Sequence, residues 1–368
     1  MKIVVIGTRG IPNILGGVET HCEELFPRVV ANGYDVTIIR RKDYAQDRLD
    51  KYNGVKLIDI NAPKKKSFEA IIHTLKAICC AKKLRADIVH IHAIGPALLT
   101  IVARMLGLKV VFTHHGPDYD RDKWGKVAKL ILRIGERMGV KYANKVIVIS
   151  DVINTIIKEK YNRTDAHLIY NGVPVPEFVE DTNYLNSLGI RPLKYIFAMG
   201  RFVPEKNFHQ LIKAFSSLNN NEGYQLVLAG DANFDDEYSL ELKKNARDNG
   251  VILTGFIKGK KLHELLTHAF VFVLPSSHEG LPISLLEAMS YDLPVVVSDI
   301  PANLEVGLPQ DSYFPVGNNE KLMEKLKQLI IEKPAKLKYP LENYRWENIA
   351  KQTIQVYEEL IVDVKQTP

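Results

Sequence analysis

Two doubly wound α/β domains, each a parallel sheet covered by helices, are what this sequence predicts, and three observations carry that prediction. The chain has 368 residues, beyond the ~250–300 at which a single hydrophobic core stops growing. Short runs that are apolar throughout, rather than alternating, recur between amphipathic stretches, as strands buried on both faces require. Midway, Asn171-Gly172-Val173-Pro174-Val175-Pro176 breaks both periods, because proline and glycine so close together continue neither element. The alternation then restarts.

In the first half the apolar runs predict strands at Ile3–Ile6, Val36–Ile39, Val55–Ile58, Ile88–Ile91, Val110–Thr113 and Val146–Ile149. Helical patterns lie between them at Glu19–Ala31, ending near Gly33, and at Phe68–Leu84 and Val127–Tyr142. The interruption and the polar stretch to about Pro192 read as a linker over 176–192, giving domains 1–175 and 193–345. Beyond it, strands are expected at Tyr195–Met199, Gln225–Leu228, Val271–Leu274 and Val295–Val297. Helices are expected at Phe208–Leu218, Leu240–Asn249, Leu262–His268, Leu285–Ser290 and Lys321–Ile331. A last helix, Trp346 to about Val364, follows Pro340 and is expected to pack back on the first domain. Two βαβ runs joined by a linker argue for two sheets facing each other across a cleft, with ligands at the carboxyl ends of the strands.

Composition narrows the class. At 46% hydrophobic and 25% charged, the chain reads as a soluble enzyme. Met1-Lys2 leads directly into the short run Ile3–Ile6 and Gly7, which is no signal peptide. The longest apolar stretch, Ala93 to Ala103, stops at Arg104, short of the ~20 residues of a membrane span. Cys22, Cys79 and Cys80 sit in no metal spacing and read as helix-packing thiols in a reducing cytoplasm. Charge is uneven: residues 1–180 hold 29 Lys and Arg against 19 Asp and Glu, and the remainder 20 against 24. Arg40-Arg41-Lys42, Lys64-Lys65-Lys66 and Lys82-Lys83 with Arg85 suit peripheral contact with an anionic membrane or a phosphorylated acceptor. Scattered solvated cations are the plain alternative. No nucleic-acid motif accompanies them.

Four segments could carry chemistry, and each follows a strand. The first is Gly7-Thr8-Arg9-Gly10-Ile11-Pro12, leading to Gly16-Gly17-Val18-Glu19. It is not GxGxxG, and Arg40-Arg41 stand where a dinucleotide fold wants an acid. A glycine pair before a helix lets backbone N–H groups approach an anion, although a flexible turn uses the same residues. The second is His114-His115-Gly116-Pro117-Asp118, where a histidine can donate to a sugar hydroxyl or simply hold a loop. The third, Gly200-Arg201-Phe202-Val203-Pro204-Glu205-Lys206-Asn207, places two cations where they can converge on a diphosphate. The fourth is Ser276-Ser277-His278-Glu279-Gly280-Leu281-Pro282-Ile283-Ser284-Leu285-Leu286-Glu287. Gly280 and Pro282 force a turn before a helix that starts near Ser284 and whose free N–H groups suit a phosphate. Glu287 suits a ribose diol, unless Ser284 and Glu287 are a capping box. Asp235-Asp236, the nearest thing to a DxD metal motif, reads as a solvated acidic turn.

With these motifs assembled, the whole chain resembles the retaining glycosyltransferases of family four, which have the GT-B fold of two Rossmann-like domains facing across a cleft. The Glu279…Glu287 pair is similar to that family's E-x7-E signature, and Arg201 with Lys206 to its Gly-Arg…Lys loop. Thr113-His114-His115-Gly116 resembles its histidine before glycine, which points to His115. The opening Gly-Thr-Arg-Gly-Ile-Pro with Gly-Gly-Val-Glu resembles a subgroup building bacterial surface polysaccharides, including rhamnosyl- and hexosyltransferases. The resemblance implies a nucleotide-sugar donor, UDP-linked first and dTDP-rhamnose second, and a glycan or lipid-linked acceptor. It implies that Glu287 holds the ribose and that Arg201, Lys206, Gly16, Gly17, Ile283 and Ser284 hold the diphosphate. Glu279 and His115 are then the catalytic contacts to the transferred sugar. Neither a metal nor another cofactor is expected, and no nucleic-acid partner. A nucleotide-sugar 2-epimerase and a non-catalytic carbohydrate-binding protein of the same fold stay open as alternatives.

Overall fold

The computed structural model describes residues 1–45, 47–62, 69–121, 124–218 and 223–365. Residues 1–172 with 343–368 form one compact unit, and residues 173–342 form a second. In the first unit lie β1 (Lys2–Ile6), β2 (Asp35–Arg41), β3 (Lys51–Tyr52), β4 (Val55–Ile60), β5 (Ile88–His92), β6 (Val110–His114), β7 (Lys145–Val148) and β8 (His167–Leu168). They form one sheet in the order β3-β4-β2-β1-β5-β6-β7-β8. All neighbours are parallel except β3 and β4, a short antiparallel pair at the edge. Its helices are α1 (Gly17–Ala31), α2 (Glu69–Lys83), α3 (Ile94–Ala97), α4 (Thr100–Met105), α5 (Lys126–Tyr142) and α6 (Asp151–Tyr161).

The second unit holds α7 (Asn183–Ser187), β9 (Tyr195–Met199), α8 (Phe208–Ser216), β10 (Gln225–Ala229), α9 (Glu237–Asp248) and β11 (Ile252–Gly255). There follow α10 (Lys260–His268), β12 (Val271–Leu274), α11 (Ile283–Ser290), β13 (Val295–Ser298), α12 (Pro301–Leu304), β14 (Tyr313–Phe314) and α13 (Asn319–Glu332). Its sheet runs β11-β10-β9-β12-β13-β14, parallel throughout. The last helix, α14 (Trp346–Lys365), belongs to the first unit, where Trp346 is fully buried. The ring of Trp346 fills the space where a side chain at Gly172 would go.

Among the parallel strands each order reverses once, between β1 and β5 in the first sheet and between β9 and β12 in the second. The crevice outside such a reversal is where open α/β sheets bind ligands. Glycines make the crossings tight. A side chain at Gly7 would strike the backbone oxygen of His92, and one at Gly230 that of Gly200.

Several expectations shift. The segment from Val173 onward belongs to the second unit and is pinned there. Val179 N–H donates to Thr267 at 3.1 Å, and Leu185 N–H to Glu264 at 2.8 Å. The stretch Ala93–Ala103 is two short helices. The expected strand positions correspond to β1, β2, β4 to β7, β9, β10, β12 and β13, while β3, β8, β11 and β14 and the helices α3, α4, α6, α7 and α12 were not expected. Three of these strands have only two residues, too few to show a period. Phe68 and Lys64-Lys65-Lys66 lie outside the described residues.

Arg40 is the clearest correction to the expected basic surface. Its guanidinium is fully buried and ion-paired with Asp59 at 2.7 Å and Asp47 at 2.8 Å, and it donates to the backbone oxygens of Ile11 and Leu49. Among the cysteines, Cys22 packs in the core, Cys80 is half-buried and Cys79 is exposed, so packing does not explain all three.

Candidate active site

In the second unit the site forms from the loops after β9 and β12, the strands that flank the reversal. The first of these loops carries Gly200, Arg201 and Lys206 and ends at Asn207, whose left-handed backbone (φ 52°) starts α8. The second runs from Pro275 to Pro282. The two loops are tied together: Asn207 donates to the Pro275 oxygen at 3.0 Å, and Ser277 N–H donates to the Glu205 oxygen at 2.9 Å. Lys206 and Glu279, 73 residues apart, meet across that junction at 2.6 Å and are both largely buried. An ammonium held this way keeps one face for a carboxylate and offers its other protons elsewhere.

Helix α11 follows directly. Leu285 and Leu286 N–H both go to the Pro282 oxygen, so Pro282 is the cap and Ile283 and Ser284 are the first two helical residues. N–H groups at those positions have no carbonyl of a preceding turn to bind and carry the positive end of the helix dipole. This placement removes the capping-box reading of Ser284 and Glu287, because Ser284 lies inside the helix and the cap has no side-chain bond. Burial of Ile283, Leu285, Leu286, Ala288 and Met289 fixes α11 on its sheet and leaves Glu287 half-buried on the other face. Asp235 and Asp236 have structural work: Asp236 caps α9 with Ser239 at 2.9 Å, and Asp235 pairs with Lys243 at 2.7 Å.

In the first unit the corresponding loops follow β1 and β5, with β6 alongside. Gly16 caps α1 at φ 152°, and a side chain there would collide with the Glu19 carboxylate. Glu19 is buried and accepts from Arg9 N–H at 3.0 Å and Thr8 Oγ1 at 3.3 Å, tying the loop to the helix. Gly17 has open space where a side chain would stand.

The two histidines after β6 separate cleanly. His114 is buried; its Nδ1 accepts from Gly116 N–H at 3.1 Å, so its Nε2 donates to Glu136 at 2.9 Å. Burial pushes the Glu136 carboxyl up, but the hydrogen bonds from His114 and Tyr161 and the nearby Lys160 ammonium hold it below its ordinary value. His114 is therefore a loop anchor. His115 instead turns toward His92, with Nε2 and Nδ1 2.9 Å apart, and its ring meets His21 edge-on at 4.9 Å. Burial first, and then His21, His114 and His90, pull His115 well below the usual imidazole value.

His21, His92 and Asn171 were not singled out from sequence. His21 Nδ1 donates to Asn171 Oδ1 at 2.9 Å. The available signal was His92 at the carboxyl end of the strand Ile88–His92, which alternates apolar residues with His90 and His92 beside the reversal. The structure thus groups His115 with His21 and His92 in one unit, and Lys206 with Glu279 in the other, where Arg201, Ile283, Ser284 and Glu287 lie on the same two loops and helix.

Comparison with known proteins follows this division. The family model "Glycosyltransferase Family 4" matches residues 15–176, and "Glycosyl transferases group 1" matches residues 182–351. An uncharacterised glycosyltransferase of Methanocaldococcus jannaschii is 26% identical over 97% of this chain and 98% of its own. The Escherichia coli UDP-Gal:alpha-D-GlcNAc-diphosphoundecaprenol alpha-1,3-galactosyltransferase is 29% identical over 82% of this chain and 81% of its own. Among solved structures, an Anabaena protein in complex with UDP and glucose superposes with a TM-score of 0.80 at 18% identity, covering 98% of this chain and all of that one. A sucrose-phosphate synthase from Thermosynechococcus elongatus gives 0.83 at 19%, covering 98% and 99%. At such identities the superpositions speak for the fold.

Proposed function

Because this chain is a family-four-like glycosyltransferase of the GT-B fold, we propose that it moves a sugar, with retention of anomeric configuration, from a nucleotide diphosphate to a glycan or lipid-linked acceptor in surface-polysaccharide synthesis. One observation carries the reading: Lys206 and Glu279 meet at 2.6 Å on tied loops beside the strand reversal, next to the start of α11. As the sugar departs, negative charge grows on the diphosphate. Arg201, Lys206 and the N–H groups of Ile283 and Ser284 stabilise it as fixed charges that need not reorganise. Glu287 takes the ribose hydroxyls, Gly16 and Gly17 assist at the diphosphate, and Glu279 and His115 contact the transferred sugar. No protein nucleophile is assigned, since the leaving phosphate can draw the acceptor proton. The cations on the loop after β9 make a divalent ion on the diphosphate unnecessary.

UDP-sugar is the first donor and dTDP-rhamnose the second; the solved Anabaena relative with UDP and the galactosyltransferase relative support that order. A lipid-linked acceptor also suits the exposed face of α5. Val127 and Leu130 there are 73% and 58% exposed beside Ile131 and Ile134, with Lys126, Arg133, Arg137 and Lys141 flanking them. Large apolar side chains facing water with cations at one side are what an interfacial helix presents to an anionic bilayer. Among the described residues no helix is long and apolar enough to cross a membrane.

The test is a thermal-shift panel of UDP, GDP, dTDP and their sugars, because a ligand that binds the folded state raises its melting temperature. The stabilising donor is then incubated alone and with lipid-linked acceptor. Release of nucleoside diphosphate only with acceptor is expected. Isomerisation of donor alone identifies a 2-epimerase, and binding without release in either mixture identifies a non-catalytic protein.

A further inference from the structure

We propose that His21, His92 and His115 form a binding site in the first unit for one first-row divalent ion of the zinc type. One ring nitrogen from each lies within 4.8 Å of the others. They come from three separate places: α1, the end of β5 and the loop after β6. Three imidazoles without a carboxylate suit zinc, cobalt, nickel or copper rather than magnesium or calcium. Zinc–nitrogen bonds are ~2.0–2.1 Å, so tetrahedral ligands stand ~3.3 Å apart, and ring movements of about 1 Å or less bring these nitrogens into place.

The proton arrangement favours ligation. His21 Nδ1 gives its proton to Asn171 Oδ1 at 2.9 Å, which leaves Nε2 as a lone pair. A ligating histidine ordinarily uses its second nitrogen in this way. His92 Nδ1 and His115 Nε2 face each other at 2.9 Å and share one proton, which an ion between them displaces to the far nitrogen of its ring. His90, whose ring lies 4.2 Å from that of His92 between centres at a 33° tilt, is not a ligand, because Tyr357 and Thr113 occupy both of its nitrogens. His115, only partly buried, gives an ion its entry. An ion on Nε2 leaves His115 Nδ1–H for a sugar hydroxyl, so this site coexists with the transfer reading and does not depend on it.

The experiment uses the full chain, prepared without a histidine tag and stripped by a chelator, titrated with Zn²⁺ against a chromophoric chelator. Co²⁺ substitution reports geometry through its visible bands. One Zn²⁺ per chain and a tetrahedral Co²⁺ spectrum are expected, together with a Zn²⁺-dependent rise in melting temperature. His92→Phe, which keeps a flat ring in the stack, loses the stoichiometric ion, and Asn171→Ala binds about 10–100-fold more weakly. Should His92→Phe fail to fold, His115→Ala at a partly exposed position gives the same reading. No uptake by the wild type, or undiminished uptake by a histidine variant, overturns the site. Unchanged affinity in Asn171→Ala overturns His21 as its third ligand.

Discussion

At positions 201 and 206 two cations share one strand-to-helix loop, and their expected effect is specific to phosphate. Arg201→Ala and Lys206→Ala each lose a charge-assisted hydrogen bond, worth about 1.5–3 kcal/mol. Affinity for the nucleoside diphosphate should fall about 10–100-fold while affinity for the nucleoside stays nearly constant. Calorimetry with both ligands checks this, and equal losses refute the placement. Glu287 sits inside α11, clear of its cap. Glu287→Ala should therefore narrow the preference for ribose over deoxyribose donors, and an unchanged ratio removes the residue from the sugar of the nucleotide. His115→Ala should lower turnover with little change in diphosphate affinity; turnover at the wild-type level would contradict its role.

At the scale of elements, α5 is built inside out. Its small residues face the protein: a side chain at Gly135 would meet the Ile94 oxygen, and one at Gly139 would meet Phe112 at 2.7 Å. Four of its large apolar residues, Val127, Leu130, Ile131 and Ile134, face outward, while Val140 is buried. Two opposite outcomes follow on one helix. Gly135→Ala overpacks against backbone that cannot yield and should cost about 1–3 kcal/mol in chemical denaturation. Leu130→Glu with Ile134→Glu should leave stability nearly intact and reduce binding to vesicles containing anionic lipid. Equal binding of wild type and double variant at low salt would show that α5 is not the contacting surface.

For the whole molecule, the histidine-rich interior sets the response to acid. Burial pulls His21 and His73 down to about 4 and His90 to about 3. Each is neutral when folded but takes a proton at about 6.5 when unfolded. The unfolded chain therefore binds more protons between those values, and stability falls as pH drops from about 6.5 toward 4. The slope is up to ~1.4 kcal/mol per pH unit for each group. Melting temperatures measured from pH 8 to 4 should be nearly level above 7 and fall steeply below 6.5; a flat profile to pH 5 would exclude this origin. Glu136 acts in the same direction, since its lowered value favours the folded state only while the carboxylate is charged.

Much of this was readable without coordinates. Largely apolar runs three to five residues long located ten of the strands, and glycines and prolines marked the turns where the candidate residues stand, because backbone geometry and burial act locally. Glu279 with Gly280 and Pro282, and Arg201 with Lys206, were legible as strand-end loops for that reason. Only tertiary structure could decide which residues meet across long stretches of chain. It placed Lys206 against Glu279, buried Arg40 between Asp47 and Asp59, made His114 an anchor, turned His115 toward His92, and brought His21 beside them. Those outcomes depend on strand order and helix packing, which no local pattern of residues encodes.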